Sequence, residues 1–468
     1  MKREVSATSD GEPSGDQLLA EDVLFQIEEI GHADILVGIP CFNNESTIGP
    51  VIAAVEAGLR KHFADRSAVI CISDGGSADR TLAVAQRAGV GDDHERLLVP
   101  EATPVPKRVT FAYRGLPGKG SAFRSIFEVA RRLSVGACAV VDSDLRSITP
   151  NWLDRLLSPV VHYDYEFVAP VYSRHKYDGT ITNCIAYPLT TALYGVRVRQ
   201  PIGGEFGFSG KLAGHYADKK VWDTDVARFG IDIWMTTVAL SEGFRVCQTI
   251  LGAKIHDVKD PGKDLGPMFR QVVGSLFALS GKYRDRWWDV SGATAPTTFG
   301  FQAAYSAEPI EVSVPRLIWK FVEGYVRHHE LWSRILSEES MTGVQRAVEE
   351  ASESAHGFVL DADLWIKIVY DSLIAYNTRQ VDAGSLLDSL IPLYFARTAT
   401  FVQQAAGDTS EEAEQRVEAA VDAAVQLKPY LKRRWRDEHV PDRRLHEQPV
   451  PEEGETPEGV ERALASGA

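Results

Sequence analysis

Four short apolar runs, each cut off by a polar loop, constrain the fold of this chain most. Residues 34–40 break at Pro40 into the loop from Cys41 to Thr47. Residues 68–72 end in Ser73-Asp74-Gly75-Gly76-Ser77, and 109–113 run into Arg114-Gly115-Leu116-Pro117-Gly118-Lys119-Gly120. Residues 136–141 stop abruptly at Asp142-Ser143-Asp144. Continuous apolar runs of this length suit strands covered on both faces, as in a parallel sheet. Between them, Ile48, Val51, Ile52, Val55 and Leu59 share one helical face, a second helix starts near Thr81, and a third spans 121–133. Residues 165–171 supply one more strand. The alternation predicts an α/β fold: a mostly parallel sheet flanked by helices.

Beyond about residue 290 the pattern becomes helical throughout. Pro315 lies near the start of an amphipathic helix carrying Leu317, Phe321, Tyr325, Trp332 and Ile335, with Ser313 as its cap, and further helices are expected over 361–380, 384–406 and 410–434. The expected organisation is a disordered or partly helical segment at 1–32, an α/β domain at 33–295, a helical region at 296–435 and a disordered tail at 436–468. The helical region reads as a structural or dimerising appendage, compatible with a homodimer. A formal charge of −15 over 468 residues speaks against nucleic acid or an anionic membrane as the main partner. An anionic substrate therefore needs a local pocket of Lys, Arg or metal. The five cysteines (41, 71, 138, 184, 247) form no Cys-x-x-Cys pair and read as reduced core residues of a cytoplasmic protein. No apolar run reaches the roughly 20 residues of a membrane span.

Loops that follow the strands of an α/β sheet gather where such sheets bind ligands. Asp142 and Asp144 can present hard oxygens to one divalent cation, which in turn can hold a diphosphate; alone, the pair could equally be a turn or a cap. The loop from Pro40 to Thr47 can offer backbone NH groups and Glu45 to a nucleoside. Asp74 can accept from a base NH. Lys119 at a helix start makes a small anion site. The spacing fits neither a phosphate-binding Walker loop nor a dinucleotide loop.

Together with Gln200-Pro201-Ile202-Gly203-Gly204-Glu205, Phe229-Gly230-Ile231-Asp232 and Ala253-Lys254-Ile255-His256, these loops resemble the GT-A nucleotide-sugar glycosyltransferases over residues 34–290. The resemblance is to the retaining branch that contains mannosylglycerate synthase and glucosyl-3-phosphoglycerate synthase. It implies a GT-A fold and a metal site of Asp144 and His256 for Mn²⁺ or Mg²⁺. It assigns the nucleotide sugar, GDP-mannose or UDP-glucose, to Pro40, Glu45, Asp74, Lys119, Asp142, Ser143, Gly203 and Gly204. Asp232 and Glu205 become the catalytic pair; Arg174, Asp178 and Thr182 hold a small carboxylate acceptor, D-glycerate or 3-phosphoglycerate. Thr180 stands where phosphoglycerate-using relatives carry an Arg, although His175 and Lys176 could still supply charge. Phe229 and Lys259 depart from the mannosylglycerate pattern. The implied activity is hexose transfer to glycerate or a similar hydroxy acid. The alternatives are a glucosyl-3-phosphoglycerate synthase, a nucleotidyltransferase (disfavoured by its missing Gly-rich, basic first loop) and a degenerate enzyme kept as a binding protein.

Overall fold

A computed structural model describes residues 18–88, 105–255, 266–301, 310–353 and 358–440. Its centre is an eight-stranded mixed sheet: β1 (Ile35–Cys41), β2 (Ala68–Asp74), β3 (Lys107–Ala112), β4 (Ala137–Val140), β5 (Phe167–Ser173), β6 (Phe206–Ser209), β7 (Val246–Ala253) and β8 (Thr298–Phe299). The strand order is β3-β2-β1-β4-β6-β5-β7-β8. Parallel pairing joins β3, β2, β1 and β4, and also β5, β7 and β8. Only β6, between β4 and β5, runs antiparallel to its neighbours. Both β1 and β2 are buried along their whole length, as their unbroken apolar runs require. This is the helix-flanked, mostly parallel α/β sheet expected from the alternation.

Helices Ile48–His62 and Asn151–Tyr163 cover one face, and their apolar stripes close one core with Ile35, Val37 and Ile39. Helices Lys119–Arg132, Ile231–Ser241 and Gly266–Lys282 contribute to the second core. The C-terminal helices Val314–Ile335, Glu338–Glu353, Ala362–Thr378, Ala383–Gln404, Ser410–Gln426 and Lys428–Asp437 extend that second core without a break. One apolar cluster runs from Leu36 and Phe123 through Phe277 and Trp365 to Leu431. The helical region is therefore packed onto the α/β core.

Local chemistry accounts for its helix starts. The side chains of Asp361, Asp382 and Thr409 accept from the backbone NH groups of Leu364, Ser385 and Glu412, and Glu412 completes a capping box. Ser313 precedes its helix as expected but makes no side-chain cap bond. The expected helix over 410–434 is two helices, with Pro429 in the first turn of the second. All five cysteines are free and buried. No described helix is long and apolar enough to cross a membrane.

Candidate active site

Strand ends and helix starts converge on one cavity of about 800 Å³, within the range of small-molecule sites. Pro40, Lys119, Asp142, Ser143, Asp144, Arg174, Asp178, Thr182, Gly203, Gly204 and Asp232 all line it. Asp142 and Asp144 follow directly from β4, and Lys119 opens the helix Lys119–Arg132. That helix start is pressed against the turn Asp225–Ala227: a Cβ on Gly120 would fall 1.8 Å from the Val226 carbonyl oxygen, so only glycine fits. Asp232 enters from the first turn of Ile231–Ser241.

The side chains form an alternating chain of charge. Lys119 Nζ lies 2.8 Å from Asp142 Oδ1 and 3.2 Å from Asp232 Oδ2. Lys254 Nζ reaches Asp142 Oδ2 at 3.4 Å, both Glu205 oxygens at 2.9 and 2.7 Å, and the Gly203 carbonyl at 2.9 Å. Tyr172 donates its hydroxyl to Glu205 Oε2, with the Gly203 carbonyl also within reach at 3.2 Å. A register shift in β5 between Val171 and Tyr172 adjoins this contact, as bulges beside sites often do. Gly204, at φ +90°, lies so close that a Cβ there would approach Asp142 Oδ2 to 2.4 Å and Lys254 Nζ to 2.9 Å.

These contacts set the protonation states. Burial works against the charge on Lys119, but Asp142 and Asp232 outweigh it and hold the ammonium above the usual lysine range. Burial would raise Asp142, yet Lys119 and then Lys254 hold it below the usual carboxylate range. Burial pushes Glu205 up to about 7 against the pull of Lys254. Burial also raises Asp232, opposed by Lys119 and aided by Asp142.

Three expected site residues stand elsewhere. Glu205 is fully buried and does not line the cavity; it lies behind Lys254, which is 6% exposed, so it acts on the site through that lysine. Asp74 is also fully buried. It accepts from the Gly76 and Ser77 NH groups at 2.8 and 2.9 Å and from the Ser77 hydroxyl at 2.6 Å. It therefore shapes its own loop, and Gly75 lines the cavity in its place. Glu45 accepts from the Arg80 NH at 3.0 Å and pairs with the Arg80 guanidinium at 3.2 Å, stitching the first loop to the second. His256 and Lys259 lie outside the described residues.

The sequence reading gave no role to Lys254, Tyr172 or Asn44, whose side-chain oxygen accepts from Ser143 Oγ at 2.8 Å. The only signal for Lys254 was its place two residues ahead of His256. At the other end of the cavity, Arg174 Nη1 lies 3.4 Å from Asp178 Oδ2. The Tyr177 NH donates to His175 Nδ1 at 3.2 Å, and burial, with Lys176, keeps the imidazole below its ordinary pKa. Lys176, which could have supplied charge to a phosphorylated acceptor, does not line the cavity and donates to the carbonyls of Ala405 and Asp408 instead.

The donor set also bears on a cation. Among the described residues no hydrogen bond or ion pair engages the Asp144 carboxylate, and no cluster of three or more His, Cys, Asp or Glu could hold a metal by itself. One free carboxylate beside Asp142 suits a hard cation whose remaining ligands come from phosphate and water, the usual manner of Mg²⁺ sites.

No family model matches this chain, and no curated protein matches it. It is similar to crystal structures of glucosyl-3-phosphoglycerate synthase from Mycobacterium tuberculosis. The complex with phosphoglyceric acid is 22% identical, with 55% of this chain and 84% of that chain covered and a TM-score of 0.40. The complex with Mn²⁺, uridine diphosphate and phosphoglyceric acid is 23% identical, with 55% and 82% covered and a TM-score of 0.40. The complex with Mn²⁺ and UDP-glucose is 23% identical, with 55% and 83% covered and a TM-score of 0.40. No substrate passes from them to this chain.

Proposed function

We propose that the protein is a metal-dependent glycosyltransferase that moves glucose or mannose from a nucleoside diphosphate to a small, unphosphorylated hydroxy acid such as D-glycerate. The observation that carries this reading is a pair of buried polar atoms without a partner, Asp232 Oδ1 and Arg174 Nε, on two residues of one cavity that also holds Lys119 and Asp144. Buried polar atoms rarely go unpaired. Here an acceptor oxygen awaits a hydroxyl, and a guanidinium NH awaits an anion.

Asp144, with Asp142 beside it, would hold the cation, whose chemistry is to neutralise charge on the leaving diphosphate. Lys119 faces the same developing charge, and its two carboxylate partners keep it protonated. Asp232 Oδ1 accepts from the hydroxyl of donor sugar or acceptor and fixes its orientation. The bond from the sugar's anomeric carbon to the diphosphate oxygen breaks and a bond to the acceptor oxygen forms. The acceptor proton leaves on the released diphosphate, the front-face route that retention implies. Arg174 takes the acceptor carboxylate. Its charge is already offset by Asp178, and a neutral His175 and a diverted Lys176 add none, so among the described residues of this segment a phosphate dianion finds no second cation.

Incubation with Mn²⁺, UDP-glucose or GDP-mannose, and D-glycerate or 3-phosphoglycerate tests the reading. The expected result is transfer to glycerate with kcat/KM about tenfold or more above that for 3-phosphoglycerate, the effect of one unmatched charged contact. Preference for 3-phosphoglycerate would overturn the acceptor assignment, and turnover with no small acid would overturn the function.

A further inference from the structure

The cavity segment from Arg174 to Cys184 is fastened from outside the α/β sheet. Lys176 Nζ donates to the carbonyls of Ala405, Ala406 and Asp408 at 2.6, 3.1 and 2.8 Å, in the turn that follows helix Ala383–Gln404. A lysine there also meets the negative end of the helix dipole. The Tyr177 hydroxyl donates to the Val402 carbonyl at 3.3 Å. The Thr180 and Tyr394 hydroxyls are hydrogen-bonded to each other in a buried contact. Trp365 Nε1 donates to the Cys184 carbonyl at 2.7 Å. The opposite side of the cavity differs: among the described residues, no hydrogen bond joins the loops at 41–47, 74–81 and 142–144 to the helices beyond residue 314.

We infer that helix Ala383–Gln404 is the positioning element of the acceptor segment, and that Lys176 and Tyr394 are positioning residues that set acceptor affinity without touching the donor. The inference rests on reading 174–182 as the acceptor side. Its geometric basis is that Lys176, Tyr177 and Thr180 anchor on this helix and the turn after it, within the same short segment whose Arg174, Asp178 and Thr182 line the cavity; Tyr177 and Thr180 line it too. A shift of the anchors must move the cavity-facing side chains with them, whereas Lys119, on a helix start pressed against the turn Asp225–Ala227, and Asp142, just past β4, are held by other elements.

Lys176→Met is expected to raise the acceptor KM about tenfold, with kcat and the donor KM within about twofold, the size of losing one charge-assisted anchor. Lys176→Arg, which keeps the charge, is expected to restore the acceptor KM. Amide exchange over 177–183 should accelerate about tenfold while β1 is unchanged. Tyr394→Phe, which deletes one hydroxyl, repeats the test at an independent contact. A rise in donor KM with the acceptor KM unmoved, or unchanged exchange over 177–183 in both variants, would overturn the inference. If the wild type transfers to no acid, that result counts against the proposed function, and the exchange data still decide whether the helix holds the segment.

Discussion

Lys254→Met is expected to destabilise the protein by about 3–5 kcal/mol at pH values well above about 7, where the Glu205 carboxyl of the native protein is ionised, the usual cost of removing one partner of a buried ion pair. The reason is geometric. Glu205 is fully buried, and Lys254 contacts both of its oxygens; methionine keeps much of the volume and leaves the carboxylate without a cation. Adding Glu205→Gln should recover a large part of the loss, because the stranded charge disappears with it. The pH dependence gives a second signature. Native Glu205 is raised from 4.5 to about 7, so between these values the folded chain holds a proton that the unfolded chain has released. Its contribution is present below pH 4.5 and is lost as pH rises through about 7. Without Lys254 the native pKa rises further, so the penalty of Lys254→Met should be smaller in acid and grow with pH. Urea titrations of the single and double variants across this range would check both. A penalty independent of pH would mean that Lys254 acts through packing alone.

Lys119→Met is expected to leave stability nearly intact and to lower kcat by about 10²–10³-fold, as loss of one preorganised electrostatic group at a site of developing charge does. The two lysines flank the same carboxylate yet differ in what they leave behind. With Lys119 gone, Asp142 keeps Lys254, and Asp232, already raised by burial, can take up a proton. Nothing in the folded core is left charged and alone. The leaving diphosphate loses its cation, however. Steady-state kinetics beside a melting curve would separate the two effects; a variant with unchanged kcat would remove Lys119 from the chemistry.

Much of the sheet was legible because β1, β2 and β4 are nearly unbroken apolar runs, and because each ends in residues that cannot continue a buried strand. Helix Glu338–Glu353 was not read, since its buried stripe of Met341, Val344, Ala347 and Ala351 is thin and broken by glycine. Residue type also showed which groups could bind or catalyse, and most of those face one cavity. It could not show direction. Glu205 follows two glycines and reads as a pocket residue, yet it enters β6, the strand that runs antiparallel between β4 and β5, and lies behind Lys254. Asp74 has the neighbours of a ligand-binding aspartate, but the same Gly-Gly-Ser sequence lets the backbone turn back onto its carboxylate. Lys176 finds its partners more than 220 residues away, a separation that no local pattern encodes.

The central claim is that Asp144 and Lys119 hold a nucleoside diphosphate through a divalent cation. Calorimetric titration of UDP and GDP into the protein, with Mn²⁺ and with a chelator, tests it most directly. Binding of one nucleotide in Mn²⁺, weakened about tenfold or more both by the chelator and by Asp144→Ala, is the predicted result. Equal affinity with and without metal, or no binding of either nucleotide, would contradict it.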